Sequence, residues 1–327
     1  MALTSRDKLL TTLSLTGGAP PPRYENESSD DVLGMWRNQG FLDDRSLEDL
    51  FGLERRETVS VNWSRMDSRT VVETEEDLVG FSRNYDASLP GRFHEDWERL
   101  IASWRARDYA LIAAPWNEGL FQVMGVSDGA TLYRAMVVLC EQPWLVEALM
   151  ERYGDFLEAL IPRVLAEIEI DYALFYEPIA WTHAPVISPD DYARFALPTL
   201  KRVVAQLEDC GVAHRVVRAT GEVRPIIPLW LDAGINGLMI TQTGATGIRY
   251  PELRREYGRE LRLFGGIDSR AVLKGPAAID RALEDTVRPL LNEGGYVPHL
   301  DDTIRANCPF EYFTYYRKRL DALIADM

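Results

Sequence analysis

Four side chains stand where an apolar run gives way to small or polar residues: Glu177, Arg218, Asp268 and His299. Arg218 follows Val216 and Val217, and a guanidinium there can fork a carboxylate or phosphate at two points. Its competing use is a salt bridge to Glu222. Glu177 closes the run LFYE. It suits a general base or proton relay if its pKa is raised; its competing use is to hold Arg218 from the adjacent strand end. Asp268 closes GGID and either takes a proton or caps the helix that follows. His299 titrates near neutrality and so suits acid or base work, and a loop histidine is otherwise exposed and idle. Around these, Tyr24, Tyr176 and Trp181 are candidate walls for a flat or apolar ligand, with ordinary core as the alternative. Glu25, Trp116, Asn117, His183, Gln242 and Asp302 are candidate substrate contacts.

The elements that must position these residues read as strand and helix in alternation. Apolar runs of strand length fall at 109–114, 174–176, 213–217, 237–240, 261–264 and 294–297. Helical spacing falls between them, at 144–170, 188–207, 223–232, 251–257 and 276–292, and a closing helix spans 308–324. Repeated strand, helix, strand units predict a parallel sheet. In such sheets chemistry sits at the carboxyl ends of the strands. Arg218, Glu177 and Asp268 are then expected at one mouth, with Asp302 on the same face and Glu177 and Arg218 within ion-pair reach or one water apart. The fold class expected is α/β, a closed (β/α)8 TIM barrel, with an open doubly wound sheet as the alternative. The chain 1–327 reads as one domain whose N-terminal elaboration, about 1–105, carries short helices and a peripheral β pair at 58–63 and 69–75.

The 327 residues carry a formal net charge of −15 and 46% hydrophobic residues. That acidity, without a compensating basic stripe, excludes nucleic acid as a partner. An anionic substrate then needs a local arginine set against the overall field. No run of about 18 apolar residues predicts a membrane span. The start, MALTSRDKLL, has charges where a secretory signal would be apolar, so a cytoplasmic location is expected. Cys140, Cys210 and Cys308 are far apart and form no CxxC motif, so neither a disulfide framework nor a thiolate metal site is expected.

The blocks SPDDYARFALP, GEVRPIIPLWLDAGINGL, YGRELRLFGGID and GGYVPHLDDTIRANCPFEYFTYYRKRL resemble the uroporphyrinogen decarboxylase superfamily. The resemblance covers about 171–320 and extends weakly toward the N-terminus through TSRDKLLTTL and DVLGMWRNQG. It implies a (β/α)8 barrel with its pocket at the C-terminal face. It also implies one of two chemistries. One branch decarboxylates acetate side chains of a tetrapyrrole without metal or organic cofactor. The other moves methyl groups between a corrinoid and a thiol, on zinc held by His-x-Cys and a distant Cys. This sequence departs from both. The His-x-Cys positions fall on Arg218 and Thr220, and arginine has no lone pair for a metal; the distant Cys position falls near Asp302. The arginine-rich N-terminal motif of the heme-pathway enzyme is reduced to Arg23 and Arg37.

The resulting expectation is a superfamily enzyme that works without metal or cofactor on a small, anionic, carboxylated substrate, and that is not the heme-pathway enzyme itself. Corrinoid- or thiol-linked methyl transfer with harder ligands (His299, Asp301, Asp302, Asp268) is one alternative. A non-catalytic ligand-binding barrel is the other. A homodimer is the oligomer that the resemblance implies.

Overall fold

The computed structural model describes residues 3–26, 28–41, 45–64, 70–305 and 307–326. The chain packs as two compact units: 1–56 with 108–110 and 236–327, and 57–107 with 111–235. Seven strands alternate with helices along the described residues: β1 (Arg56–Thr58), β2 (Ala110–Trp116), β3 (Tyr172–Glu177), β4 (Arg215–Thr220), β5 (Gly237–Thr241), β6 (Arg262–Phe264) and β7 (Tyr296–Val297). This is the α/β alternation of the TIM-barrel type. Among the described residues, no helix is long and apolar enough to cross a membrane.

In the second unit β2, β3 and β4 pair in parallel, with Ile112 opposite Tyr172 and Ala173 opposite Arg215. β2 reads ALIAAPW and is buried at every position, as a parallel strand covered on both faces must be. The connection from β2 to β3 includes the helix Pro143–Leu165, with Leu145, Leu149, Phe156, Leu160 and Val164 on its buried side. The connection from β3 to β4 opens at Ser188, whose hydroxyl accepts from the Asp191 amide, with Pro189 in the first turn. Serine before proline at a helix start satisfies one orphan donor and removes another.

In the first unit β5, β6 and β7 pair in parallel, with Leu238 opposite Leu263 and Phe264 opposite Val297. Residues 276–292, read from sequence as one helix, form an α-helix Pro276–Ala282, a π-helical turn Leu283–Val287 and a final α-turn Arg288–Leu291. The closing helix Phe310–Ala325 buries Phe313, Tyr316, Arg317 and Leu320.

Two expectations fail here. The peripheral β pair is not formed as read: the strand at this point is β1 at Arg56–Thr58, and residues 70–74 carry no strand. Arg69, where the second member was to begin, lies outside the described residues. Thr74 and Asp77 instead form a capping box that starts the helix Glu75–Asn84, a signal stronger than the two valines at 71 and 72. Second, β4 begins two residues later than read, so His214 precedes the strand and Arg218 lies within it.

Candidate functional site

In the second unit the site is built on the ends of β2, β3 and β4. Tyr176 is the register partner of Arg218, and Glu177 that of Ala219. Paired residues of parallel strands point to the same face, and neighbours along a strand point to opposite faces. Arg218 and Glu177 are therefore on opposite faces of this ladder. The expected ion pair between them does not form. Glu222, the other expected partner, is held by the Arg224 guanidinium. Arg218 is part-buried beside Tyr176 and makes no hydrogen bond or ion pair among the described residues.

Glu177 turns instead to the helix-covered face. One oxygen accepts from the Leu120 amide at 2.9 Å; the other accepts from Trp116 Nε1 at 3.2 Å and from the Tyr192 hydroxyl at 3.0 Å. Trp230 Nε1 donates to that same hydroxyl at 2.9 Å. The carboxyl is 1% exposed. Burial pushes its pKa up to about 7, against the lowering effect of its three donors. A Cβ at Gly119 would run into Glu177 Oε1 and the Tyr176 carbonyl oxygen, so the bend after β2 must be glycine. Trp116, expected as a substrate contact, is fully buried in this cluster. Sequence reading missed Tyr192, although it stands in the SPDDYARF block.

The loop after β3 folds back on itself. Ala180 bridges Pro185, and the Val186 amide donates to the Ile179 carbonyl at 2.7 Å. Trp181 is carried on this turn at 66% exposure, with His183 also exposed. The Glu222 amide donates to the Trp181 carbonyl at 2.8 Å, tying the turn to the loop after β4. Trp181 and His183 are thus presented to solvent in the same unit as Tyr176 and Arg218. Asn117 is exposed after β2, with its amide 3.4 Å from Ser64 Oγ.

The first unit holds the remaining candidates. Asp268 caps the helix Ser269–Leu273 by accepting from the Arg270 amide at 3.0 Å, and it pairs with the Arg270 guanidinium at 3.1 Å. The capping use fits this carboxylate better than catalysis does. His299 is 1% exposed, its Nδ1 is 2.8 Å from the Leu300 carbonyl, and its ring fills the space that a side chain at Gly265 would need. The picture of an exposed loop histidine is therefore wrong.

Tyr24 and Glu25 are buried. Glu25 accepts from the Leu300 amide at 2.9 Å, the Tyr316 hydroxyl at 2.8 Å and Arg317 Nη1 at 3.0 Å. These bonds leave Glu25 structural work: it fastens the first polar stretch to the closing helix. Gln242 sits in left-handed backbone, φ 58, and its carbonyl accepts from the Ala245 and Thr246 amides. Asp302 is part-buried and accepts from the Thr303 amide.

Asp301, named from the sequence only as a ligand for a harder metal, ties three segments together. One oxygen accepts from Thr243 Oγ1 at 2.7 Å and the Gly244 amide at 3.2 Å; the other accepts from the Ser269 amide at 2.9 Å. One carboxylate thus joins the segments that follow β5, β6 and β7. Burial raises its pKa and the four hydrogen-bond contributions from Ser269, Thr243 and Gly244 oppose that.

A cleft of about 600 Å³ in the same unit is lined in part by Asn26, Arg37, Arg45, Arg55 and Arg56. Arg56 donates to the Glu25 carbonyl at 2.8 Å and lies over the Tyr24 ring, and Arg55 lies over Tyr109.

No three His, Cys, Asp or Glu side chains among the described residues stand together as a metal-binding group. The oxygens of Asp268 and Asp301 that a harder metal would need are taken up by Arg270, Thr243 and backbone amides.

The family model described as uroporphyrinogen decarboxylase (URO-D) matches residues 109–316. The uroporphyrinogen decarboxylase of Crocosphaera subtropica is 22% identical over 227 residues, 65% of this chain and 58% of that protein. That of Myxococcus xanthus is 26% identical over 163 residues, 48% of this chain and 42% of that protein. That of Trichormus variabilis is 24% identical over 229 residues, 65% of this chain and 59% of that protein. The chain thus spans less than two thirds of the length of these relatives.

Proposed function

Since the chain belongs to the uroporphyrinogen decarboxylase family, we propose that it is a carboxy-lyase acting without a metal on a small anionic carboxylate other than the heme-pathway substrate. The observation that carries this reading is Arg218: a part-buried guanidinium near the end of a parallel strand, with no protein partner among the described residues. Five N–H donors without acceptors in a partly desolvated place are unfavourable until an anion takes them up. A substrate carboxylate fits the planar fork at two points.

In the reaction, the bond between the carboxylate carbon and the substrate breaks, CO2 leaves, and the electron pair stays on the substrate carbon. That carbon then takes a proton from water or a neighbouring acid. Arg218 orients the leaving group. Tyr176 shares its face of the ladder with Arg218, and Trp181 and His183 are exposed on the turn after β3 in the same unit. Methyl transfer on a soft zinc site is disfavoured in this reading, because the spacing of the resemblance puts Arg218 and Thr220 where its histidine and cysteine fall, and arginine has no lone pair for a metal.

The test is CO2 release from a panel of small mono- and dicarboxylates, with untreated and chelator-treated enzyme. Turnover that survives chelation and is lost in Arg218→Ala supports the reading. Turnover that returns only on adding zinc overturns it, as does methyl transfer to a thiol without CO2 release.

A further inference from the structure

A second cleft, of about 350 Å³, lies wholly within the first unit, beside the segment after β5. One wall is backbone, from Thr243 and Gly244 through Gly247. The other comes from the helices Ser269–Leu273 and Pro276–Ala282 and from the π-helical turn that continues them. Asp301 fastens the two walls behind the lining, because its carboxylate holds Thr243 and Gly244 to Ser269. π-helical turns are rare and concentrate where function needs a local departure from the α-helix. Here the turn brings Asp285 and Thr286 into the lining.

Bases gather in the lining of this cleft although the chain as a whole is acidic. Acids outnumber bases 51 to 36 in the sequence, and many arginines are matched to carboxylates, as in Arg202 with Asp155 and Glu158, Arg288 with Glu284, and Arg319 with Asp280. Arg249, Lys274 and Arg281 converge on the cleft from three separate elements. Lys274 and Arg281 make no hydrogen bond or ion pair among the described residues, and Arg249 only approaches Glu252 at 3.9 Å. Asp285 stands four residues after Arg281, the spacing that pairs opposite charges on a regular helix, yet the two do not pair. Asp268, the other carboxylate in the lining, is already neutralised by Arg270.

We infer that this cleft is a binding site for a multiply charged phosphoryl group of a small molecule, held by Lys274 and Arg281 with Arg249 at the rim. Three cations from separate elements exceed what a single carboxylate can satisfy, whereas a phosphoryl group carries about two charges and three acceptor oxygens near neutral pH. The site does not involve Arg218, so it stands or falls apart from the decarboxylase reading.

The test is calorimetric titration of the full chain with inorganic pyrophosphate, with succinate as the dicarboxylate comparison. The proteins are wild type, the double variant Lys274→Ala/Arg281→Ala, and Arg218→Ala. All three substituted side chains are exposed or part-buried and lack protein partners, and circular dichroism verifies that each variant is folded. The expected result is saturable pyrophosphate binding that weakens at least about tenfold in the double variant, persists in Arg218→Ala and falls steeply with added salt. Absence of pyrophosphate binding overturns the inference. Equal binding by the double variant, or tighter binding of succinate than of pyrophosphate, overturns it as well.

Discussion

Tyr176 and Arg218 are register partners on β3 and β4, and their side chains share one face of that ladder while Glu177 occupies the other. A one-residue step along the strand thus separates two roles. The guanidinium has no protein partner among the described residues, and the carboxyl is drawn into the layer between sheet and helices.

Replacing Arg218 should affect binding more than folding. Arg218→Ala is expected to weaken carboxylate substrates by about 10- to 100-fold, as loss of a charge-assisted, two-point contact does. Arg218→Lys keeps the charge and loses the fork, so it should recover little of this. Substrate titration with thermal melts of both variants decides it: a large fall in melting temperature with unchanged affinity would make Arg218 structural.

Glu177 predicts a pH dependence of stability. Its folded pKa is raised to about 7, above the ordinary 4.5, by burial. The folded state therefore binds more protons than the unfolded state between these values. The contribution is fully present below about pH 4.5 and is lost as pH rises through about 7. Glu177→Gln removes this titration. Denaturant unfolding from pH 5 to 8 should show the variant gaining on wild type by an order of 1–3 kcal/mol. A difference that stays flat with pH would refute the assignment.

Arg317 and Glu25 form a buried ion pair at 3.0 Å, each side chain nearly inaccessible. Arg317→Ala strands Glu25 and should cost about 3–5 kcal/mol, whereas the double change Arg317→Met/Glu25→Gln should recover most of it. Urea unfolding of the single and double variants measures the difference. A double variant no better than the single one would show that packing, not charge, sets the cost.

Asp301 should act as a local clasp. Asp301→Ala leaves the Thr243 hydroxyl and the Gly244 and Ser269 amides without their acceptor, at a cost of about 1–3 kcal/mol for each group that stays buried. Hydrogen exchange should speed up in 241–249 and 266–272 and hardly change in β2, β3 and β4. Uniform acceleration over the whole chain would mean that the residue supports global stability instead.

Much of the fold was legible because parallel strands buried on both faces leave nearly unbroken apolar runs, as at β2 and β5, and because Ser188 before Pro189 marks a helix start in two letters. The missed helix Glu75–Asn84 was legible too, through Thr74 and Asp77, but the two valines before it drew the reading toward a strand. Residues at strand ends were found because the ends are marked by the change from apolar to small or polar types.

The sequence by itself determined the α/β alternation, the family and the placing of Arg218 and Glu177 near strand ends, since each follows from composition and order along the chain. Tertiary structure alone decided what those residues touch. Strand boundaries move by two residues at no visible cost in pattern, but each single step turns a side chain to the other face. Whether Glu177 meets Arg218 or Tyr192 was therefore set by the register of β3 against β4 and by the helix packed over it. Asp301 and Asp302 look alike as letters; backbone direction after β7 gives the first three donors and leaves the second with one.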